Sequence, residues 1–206
     1  MENFDQLALT WDNDPRRMER AKVVAEEIIK AVPYLDKMDG FEYGCGTGLL
    51  SFNLQSHLKM ITLGDSSQGM LEVLKQKIEK TKSTNMIPVK MDLTKDEPLS
   101  KEQFDIIYTL LTLHHIPEVD KVIEEFSQIL RRPGYVCIAD LDEEDGSFHG
   151  EEFSGHHGFN KNILSEKLMR YGFEVISWKI CYENEKKLAD GSFRKYPLFI
   201  MVAKKL

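Results

Sequence analysis

Cysteine is scarce in this 206-residue chain: Cys45, Cys137 and Cys181 are odd in number, lie far apart and form no Cys-x-x-Cys pair. That excludes a disulfide framework and a thiolate zinc cluster, and reads as reduced thiols in a cytoplasmic protein. Long apolar runs are missing, so no membrane-spanning segment is expected. The opening Met1-Glu2-Asn3-Phe4-Asp5 lacks the basic region and apolar stretch of an export signal. Positive charge is in deficit, with 27 Lys and Arg against 34 Asp and Glu and a formal net charge of -7. Such a field repels phosphate backbones and argues against a nucleic-acid partner. The densest basic run, Lys75, Lys77, Lys80 and Lys82, is interrupted by Glu79 and reads as the solvated face of a helix. Internal repeats are absent, and the only biased tract is the Glu, Asp, Gly and His-rich stretch after residue 141.

With 42% hydrophobic residues the chain is long enough for one α/β domain with a full core, so residues 1–206 are expected to fold as a single unit. Its most informative segment is Phe41-Glu42-Tyr43-Gly44-Cys45-Gly46-Thr47-Gly48: an apolar run, an acid, then glycines at every second position. This describes a strand ending in a loop too tight for side chains, where main chain can touch a ligand. A dinucleotide fingerprint would need a third glycine at position 49, and Leu49 stands there. No Gly-Lys-Ser or Gly-Lys-Thr follows, which excludes a Walker-type phosphate loop. The cradle suits a ligand without phosphates.

Around that loop the chain alternates strands and helices. Pro15 opens a helix in which Met18, Ala21, Val24, Ala25, Ile28 and Ile29 recur at helical spacing until Pro33. The glycine motif closes a first strand, and Leu49, Leu50, Phe52 and Leu54 begin a helix with its N-terminal amides toward the ligand. Met60 to Leu63 reads as a second strand ending in Gly64-Asp65-Ser66-Ser67, and Met70, Leu71, Leu74 and Ile78 stripe the next helix. Met86 to Met91 reads as a third strand broken by Pro88, and Phe104 to Leu111 as a fourth, apolar enough to be covered on both faces. Pro117 opens another helix, Arg131-Arg132-Pro133-Gly134 turns the chain, and Tyr135 to Leu141 is a fifth strand. Asn160 caps a helix ending at Gly172, before two last strands, Phe173 to Tyr182 and Tyr196 to Ala203. The predicted class is α/β: a Rossmann-like, doubly wound seven-stranded sheet, mainly parallel with an antiparallel closing strand.

Glu42-x-Gly44-x-Gly46-x-Gly48 resembles the first motif of class I S-adenosylmethionine-dependent methyltransferases, and the resemblance extends from about Phe4 to the closing strands. It implies that Glu42, Gly44, Cys45, Gly46 and Gly48 surround the methionine part of S-adenosyl-L-methionine, the acid orienting the loop and the ligand's ammonium. Asp65 is then the ribose ligand, gripping both hydroxyls, with Ser66 and Met70 beside it. The alternative for Asp65 is a helix N-cap formed with Ser66 or Ser67. Met91-Asp92-Leu93 resembles the adenine-binding step, Asp92 accepting the exocyclic amine, against the plainer reading of a turn. Thr109-Leu110-Leu111 matches the stretch that lays backbone beside the adenosyl group. The family's Pro-Gly-Gly turn is Pro133-Gly134-Tyr135 here, a departure at a structural position. Leu113-His114-His115-Ile116 and the opening Phe4-Asp5-x-x-Ala8-x-x-Trp11-Asp12 are similar to small-molecule methyltransferases of the ubiquinone/menaquinone-biosynthesis type. Phe4 and Trp11 are then either a lid over the sulfonium, whose charge aromatic faces favour, or packing anchors of the N-terminus.

The resemblance implies in-line methyl transfer to a small molecule, leaving S-adenosyl-L-homocysteine, a reaction that needs alignment above all. His114, His115, His156 and His157 are the candidates for an acceptor-side base or hydrogen-bond partner, with Asp12 behind them, while His57 reads as helix surface. Residues 1–32 form an N-terminal lid and leading helix, and residues 142–160 a candidate substrate lid. No metal is assigned, because the histidines and carboxylates of that lid lack a spacing that fixes a coordination geometry. Two other readings stay open: a cofactor-binding regulatory module without catalysis, and an NAD-dependent oxidoreductase, which Leu49 disfavours. Fold alone does not separate these three.

Overall fold

The structure, a computed structural model, describes residues 3–96, 101–150, 153–188 and 191–206. Met1 and Glu2 of the opening segment, and Glu151 and Glu152 of the 142–160 stretch, lie outside the described residues. Seven strands, β1 (Asp39–Tyr43), β2 (Met60–Asp65), β3 (Met86–Lys90), β4 (Phe104–Leu110), β5 (Leu130–Leu141), β6 (Phe173–Lys187) and β7 (Phe193–Lys205), make one sheet in the order β3-β2-β1-β4-β5-β7-β6. Strands β1 to β5 pair in parallel, and β7 runs antiparallel to both of its neighbours. The expected Rossmann-like sheet is therefore the observed one.

Helices cover both faces. On one side α2 (Pro15–Ala31), α3 (Leu49–Leu54) and α4 (Gln68–Thr81) bury Ala21, Val24, Ile28, Leu50, Leu54, Leu71 and Leu74 against Ile61, Leu63 and Ile106. On the other, α5 (Val119–Ile129) and α6 (Lys161–Arg170) bury Val122, Ile123, Phe126, Leu164 and Leu168 against Phe41, Ile107 and Ile138. A short α1 (Phe4–Leu7) leads the chain. The ends of these helices follow ordinary capping chemistry: Asp14 accepts the Arg16 amide before Pro15, Ser67 accepts the Met70 amide, and Asn160 accepts the Asn162 amide.

Four expectations need correction. Pro88 does not break β3, because β3 is the sheet edge, where a missing N–H is tolerated, and Pro88 stays in register with Leu63. Arg131 to Gly134 lie within β5, which pairs from Leu130 onward with a register shift between Phe104 and Ile106 of β4. The closing strands also run further, to Lys187 and from Phe193, where Glu185 faces Lys195 and Lys186 faces Arg194. That stretch is too charged to read as strand, yet ladder hydrogen bonds need no apolar side chains, and Lys195 pairs with Glu183 across the hairpin at 2.7 Å. Lastly, Lys77 is not a solvated lysine: its ammonium binds Asp12 at 2.6 Å and the Thr47 carbonyl at 2.8 Å.

Candidate functional site

Strands β1 and β4 are neighbours while the chain winds away from them in opposite directions, which opens a crevice at their carboxyl ends. A cavity of about 700 Å³ lies there. Its floor is the loop after β1. Gly44 and Cys45 donate their amides to the Gly64 carbonyl at 2.8 and 3.1 Å, tying this loop to the end of β2. Gly44, Gly46 and Gly48 all have positive φ, the conformation that L side chains resist. They do different work. A Cβ on Gly48 would lie 2.7 Å from Leu74 Cδ1, so this glycine lets α3 pack and does not face the cavity. A Cβ on Gly46 would meet only Met70 Sδ, at 3.9 Å, so this side of the loop is open space.

Asp65 closes the wall beside Gly46. Its Oδ2 accepts the Gly46 amide at 2.7 Å and its Oδ1 the Ser67 amide at 2.8 Å, leaving further lone pairs on a carboxylate that lines the cavity. Burial raises its pKa. The helix cap itself is Ser67. Glu42 lies deeper: its Oε2 accepts the Ser51 hydroxyl, which also meets Tyr108 OH at 2.7 Å, and burial pushes its carboxyl up to about 8. Cys45, Ser66, Met70, Met91, Asp92 and Leu110 line the same cavity. Asp92 holds an Asx turn, accepting the Thr94 amide at 3.0 Å and the Lys95 ammonium at 2.7 Å. Leu93 and Thr109 are buried outside the cavity, Leu93 donating its amide to Tyr43 OH at 3.3 Å.

The roof comes from the chain's start. Asp5 accepts Ser67 Oγ at 2.6 Å and the Gly69 amide at 2.8 Å, clamping α1 to the start of α4. Phe4 and Trp11 line the cavity, with Trp11 meeting Phe4 edge-on at 5.9 Å and the Arg17 guanidinium at 3.7 Å over its ring. Asp12 is not free to act as a base, because Thr47 and Lys77 both bind it. Arg17, Arg20, Tyr182, Asn184 and Lys186, from α2 and the extended β6, form a far wall that sequence reasoning missed. Arg20 donates to Asn184 Oδ1 at 2.7 Å, and its Nε has no partner among the described residues.

The histidines sort differently from expectation. His114 and His115 do line the cavity, on the 3-10 turn after β4. His156 and His157 do not. The His156 ring sits beside the Ile116 carbonyl at 3.0 Å, and His157 lies at the exposed edge, 3.6 Å from Glu144. The third cavity histidine is His149, and further along the chain the His156 amide donates to the His114 carbonyl at 2.7 Å. Its proximity carried no local signal, since it depends on the path of a loop.

Sheet order, reversed β7, glycine loop and acid at the tip of β2 together form the arrangement expected of class I methyltransferases. Comparisons with known proteins find similarity to that family. A family model described as a methyltransferase domain matches residues 41–138. An uncharacterized methyltransferase of Schizosaccharomyces pombe is 28% identical over 72% of this chain, which spans only 56% of that relative's length. A ubiquinone biosynthesis O-methyltransferase of Pelagibacter ubique is 27% identical, covering 87% of this chain and 90% of that one. Among solved structures, an S-adenosylmethionine-dependent methyltransferase of Aquifex aeolicus superposes with a TM-score of 0.65 at 16% identity, over 92% of this chain and 98% of that one. The [4+2]-cyclase SpnF superposes with a TM-score of 0.74 at 15% identity, over 91% and 81%. At such identities the likeness is one of fold. No helix among the described residues is long and apolar enough to cross a membrane.

Proposed function

We propose that the chain transfers a methyl group from S-adenosyl-L-methionine to a small-molecule acceptor in this cavity. The observation that carries the donor half is the pairing of Gly46 and Asp65. Open space over a glycine with positive φ adjoins a carboxylate held by two amides, which fits an amino-acid chain passing into a ribose. In this reading Met91, Asp92 and Leu110 flank the adenine, and Trp11 and Phe4 lie over the reacting end. Bound there, the sulfonium supplies an activated methyl with a neutral leaving group, so the chain's part is alignment and exclusion of water.

The acceptor half rests on enclosure and charge. The N-terminal segment and the β6–β7 hairpin wall in the far end, which suits a small molecule better than a polymer, and the net charge of -7 supports the exclusion of nucleic acid. Arg17, Arg20 and Lys186 gather positive charge on that wall, a complement for an acceptor with an acidic group. The test is turnover: purified protein with S-adenosyl-L-methionine and a panel of acidic, hydroxylated small molecules is assayed for S-adenosyl-L-homocysteine. Acceptor-dependent product supports the proposal. Donor binding with no turnover on any acceptor favours the regulatory-module alternative, and failure of both donor and product to bind overturns the reading.

A further inference from the structure

Three imidazoles converge on one wall of the cavity. The ring centroids of His114 and His115 are 4.1 Å apart, those of His114 and His149 5.0 Å, and those of His115 and His149 5.1 Å. One ring nitrogen from each lies within 4.8 Å of the other two. Asp140, fully buried, accepts the Leu113 amide at 3.0 Å and faces His114 Nδ1 at 2.6 Å. That contact occupies Nδ1, so Nε2 is the nitrogen that His114 offers to a ligand. This Nε2 is buried without a partner among the described residues, and so is His149 Nε2. Two orphaned nitrogens in one cluster, with no partner for either among the described residues, are a standing free-energy deficit unless something fills the gap.

We propose that His114, His115 and His149 bind one divalent transition-metal ion of the zinc type, with a coordination position open to the cavity. Three imidazoles are a catalytic-type donor set for such an ion, and the Asp140–His114 contact is the carboxylate–histidine support that orients a metal-binding ring. The rings are held for the purpose by aromatic packing: His149 stacks on Phe153 at 4.0 Å, and Phe4 meets His115 edge-on at 5.3 Å. Gly155 lets this loop approach, since a Cβ there would lie 2.2 Å from the His114 carbonyl oxygen.

The role of the ion rests on the methyltransferase reading above. An acceptor hydroxyl bound to it would release its proton to solvent, because coordination lowers the hydroxyl pKa. An oxygen lone pair then forms a bond to the methyl carbon while the carbon–sulfur bond breaks, its electron pair remaining on the sulfur of the product. The metal would thus take the place of a general base.

Metal binding is tested without acceptor or donor. The metal-free full chain is titrated with Co²⁺, followed by visible d–d absorption, and with Zn²⁺ in competition. One ion per chain, with the bands of a low-coordinate site, is expected. His149→Ala and, separately, His115→Ala should each weaken binding about 100-fold or more, while His157→Ala, outside the cluster, leaves it unchanged. Thermal unfolding of each variant establishes that it is folded. Absence of saturable binding to the wild type, or affinity surviving both substitutions within threefold, would overturn the proposal. A parallel titration with S-adenosyl-L-homocysteine keeps the two readings apart, since its failure would strike the donor site and leave the metal result standing.

Discussion

Thr112 fills the space into which Gly44 would project a side chain: a Cβ built on Gly44 would lie 2.1 Å from Thr112 Cγ2. The contact couples the loop after β1 to the turn after β4, and Thr112 Oγ1 donates to the Gly44 carbonyl at 3.3 Å. Gly44→Ala should therefore destabilise the fold by about 2–5 kcal/mol, combining overpacking with left-handed strain, and should abolish product binding. Adding Thr112→Ala should restore only part of the stability, because Thr112 Cβ itself stands 2.8 Å from the added atom. Urea unfolding of the four proteins measures this, and full rescue would show that strain at the loop is negligible.

Asp65 is the residue on which donor recognition turns. Asp65→Asn should weaken S-adenosyl-L-homocysteine binding by about 10- to 100-fold, the scale of a hydrogen bond to a charged group. Its two amide contacts, from Gly46 and Ser67, can survive in the amide variant through one oxygen only. Calorimetry at neutral pH reads the effect, and an unchanged affinity would remove Asp65 from the ribose site.

Glu42 carries a pH signature. Burial raises its pKa from 4.5 to about 8. Between those values the folded chain holds a proton that the unfolded chain has released. Stability from this group thus falls as pH rises through the window, by up to about 1.4 kcal/mol per pH unit. Glu42→Gln should flatten that slope. Urea midpoints at pH 5 and pH 8 supply the comparison, and parallel slopes for the two proteins would contradict it.

Lys77 anchors the roof. Replacing it with methionine removes the bonds to Asp12 and Thr47 and should speed amide exchange across residues 4–13 by about 5- to 30-fold, equivalent to 1–2 kcal/mol of local stability. Exchange in β1 and β4 should stay unchanged. Equal rates in the roof would mean that the Asp5 clamp alone holds it.

Much of this molecule was legible in its residues. The Met18-to-Ile29 and Met70-to-Ile78 stripes become α2 and α4, the Phe104 run becomes a strand with Ile106, Ile107 and Tyr108 fully buried, and the glycine loop and Asp65 face each other at the strand ends. Periodicity and turn chemistry act between residues close in sequence, so they are written locally. The extended β6–β7 hairpin was not legible, because its stability lies in a ladder between Glu183–Lys187 and Phe193–Pro197 that charged residues form as well as apolar ones.

By itself, then, the sequence determined the sheet, its helices and the cradle at the switch point, since each follows from short-range spacing. Which histidines meet was decided only by tertiary structure. His149 joins His114 and His115 across more than thirty residues while His156 and His157, from the same expected lid, turn away. The physical reason is that a loop's path is set by where its backbone finds partners, here the His114 carbonyl and the Leu141 carbonyl, and no spacing rule encodes those contacts.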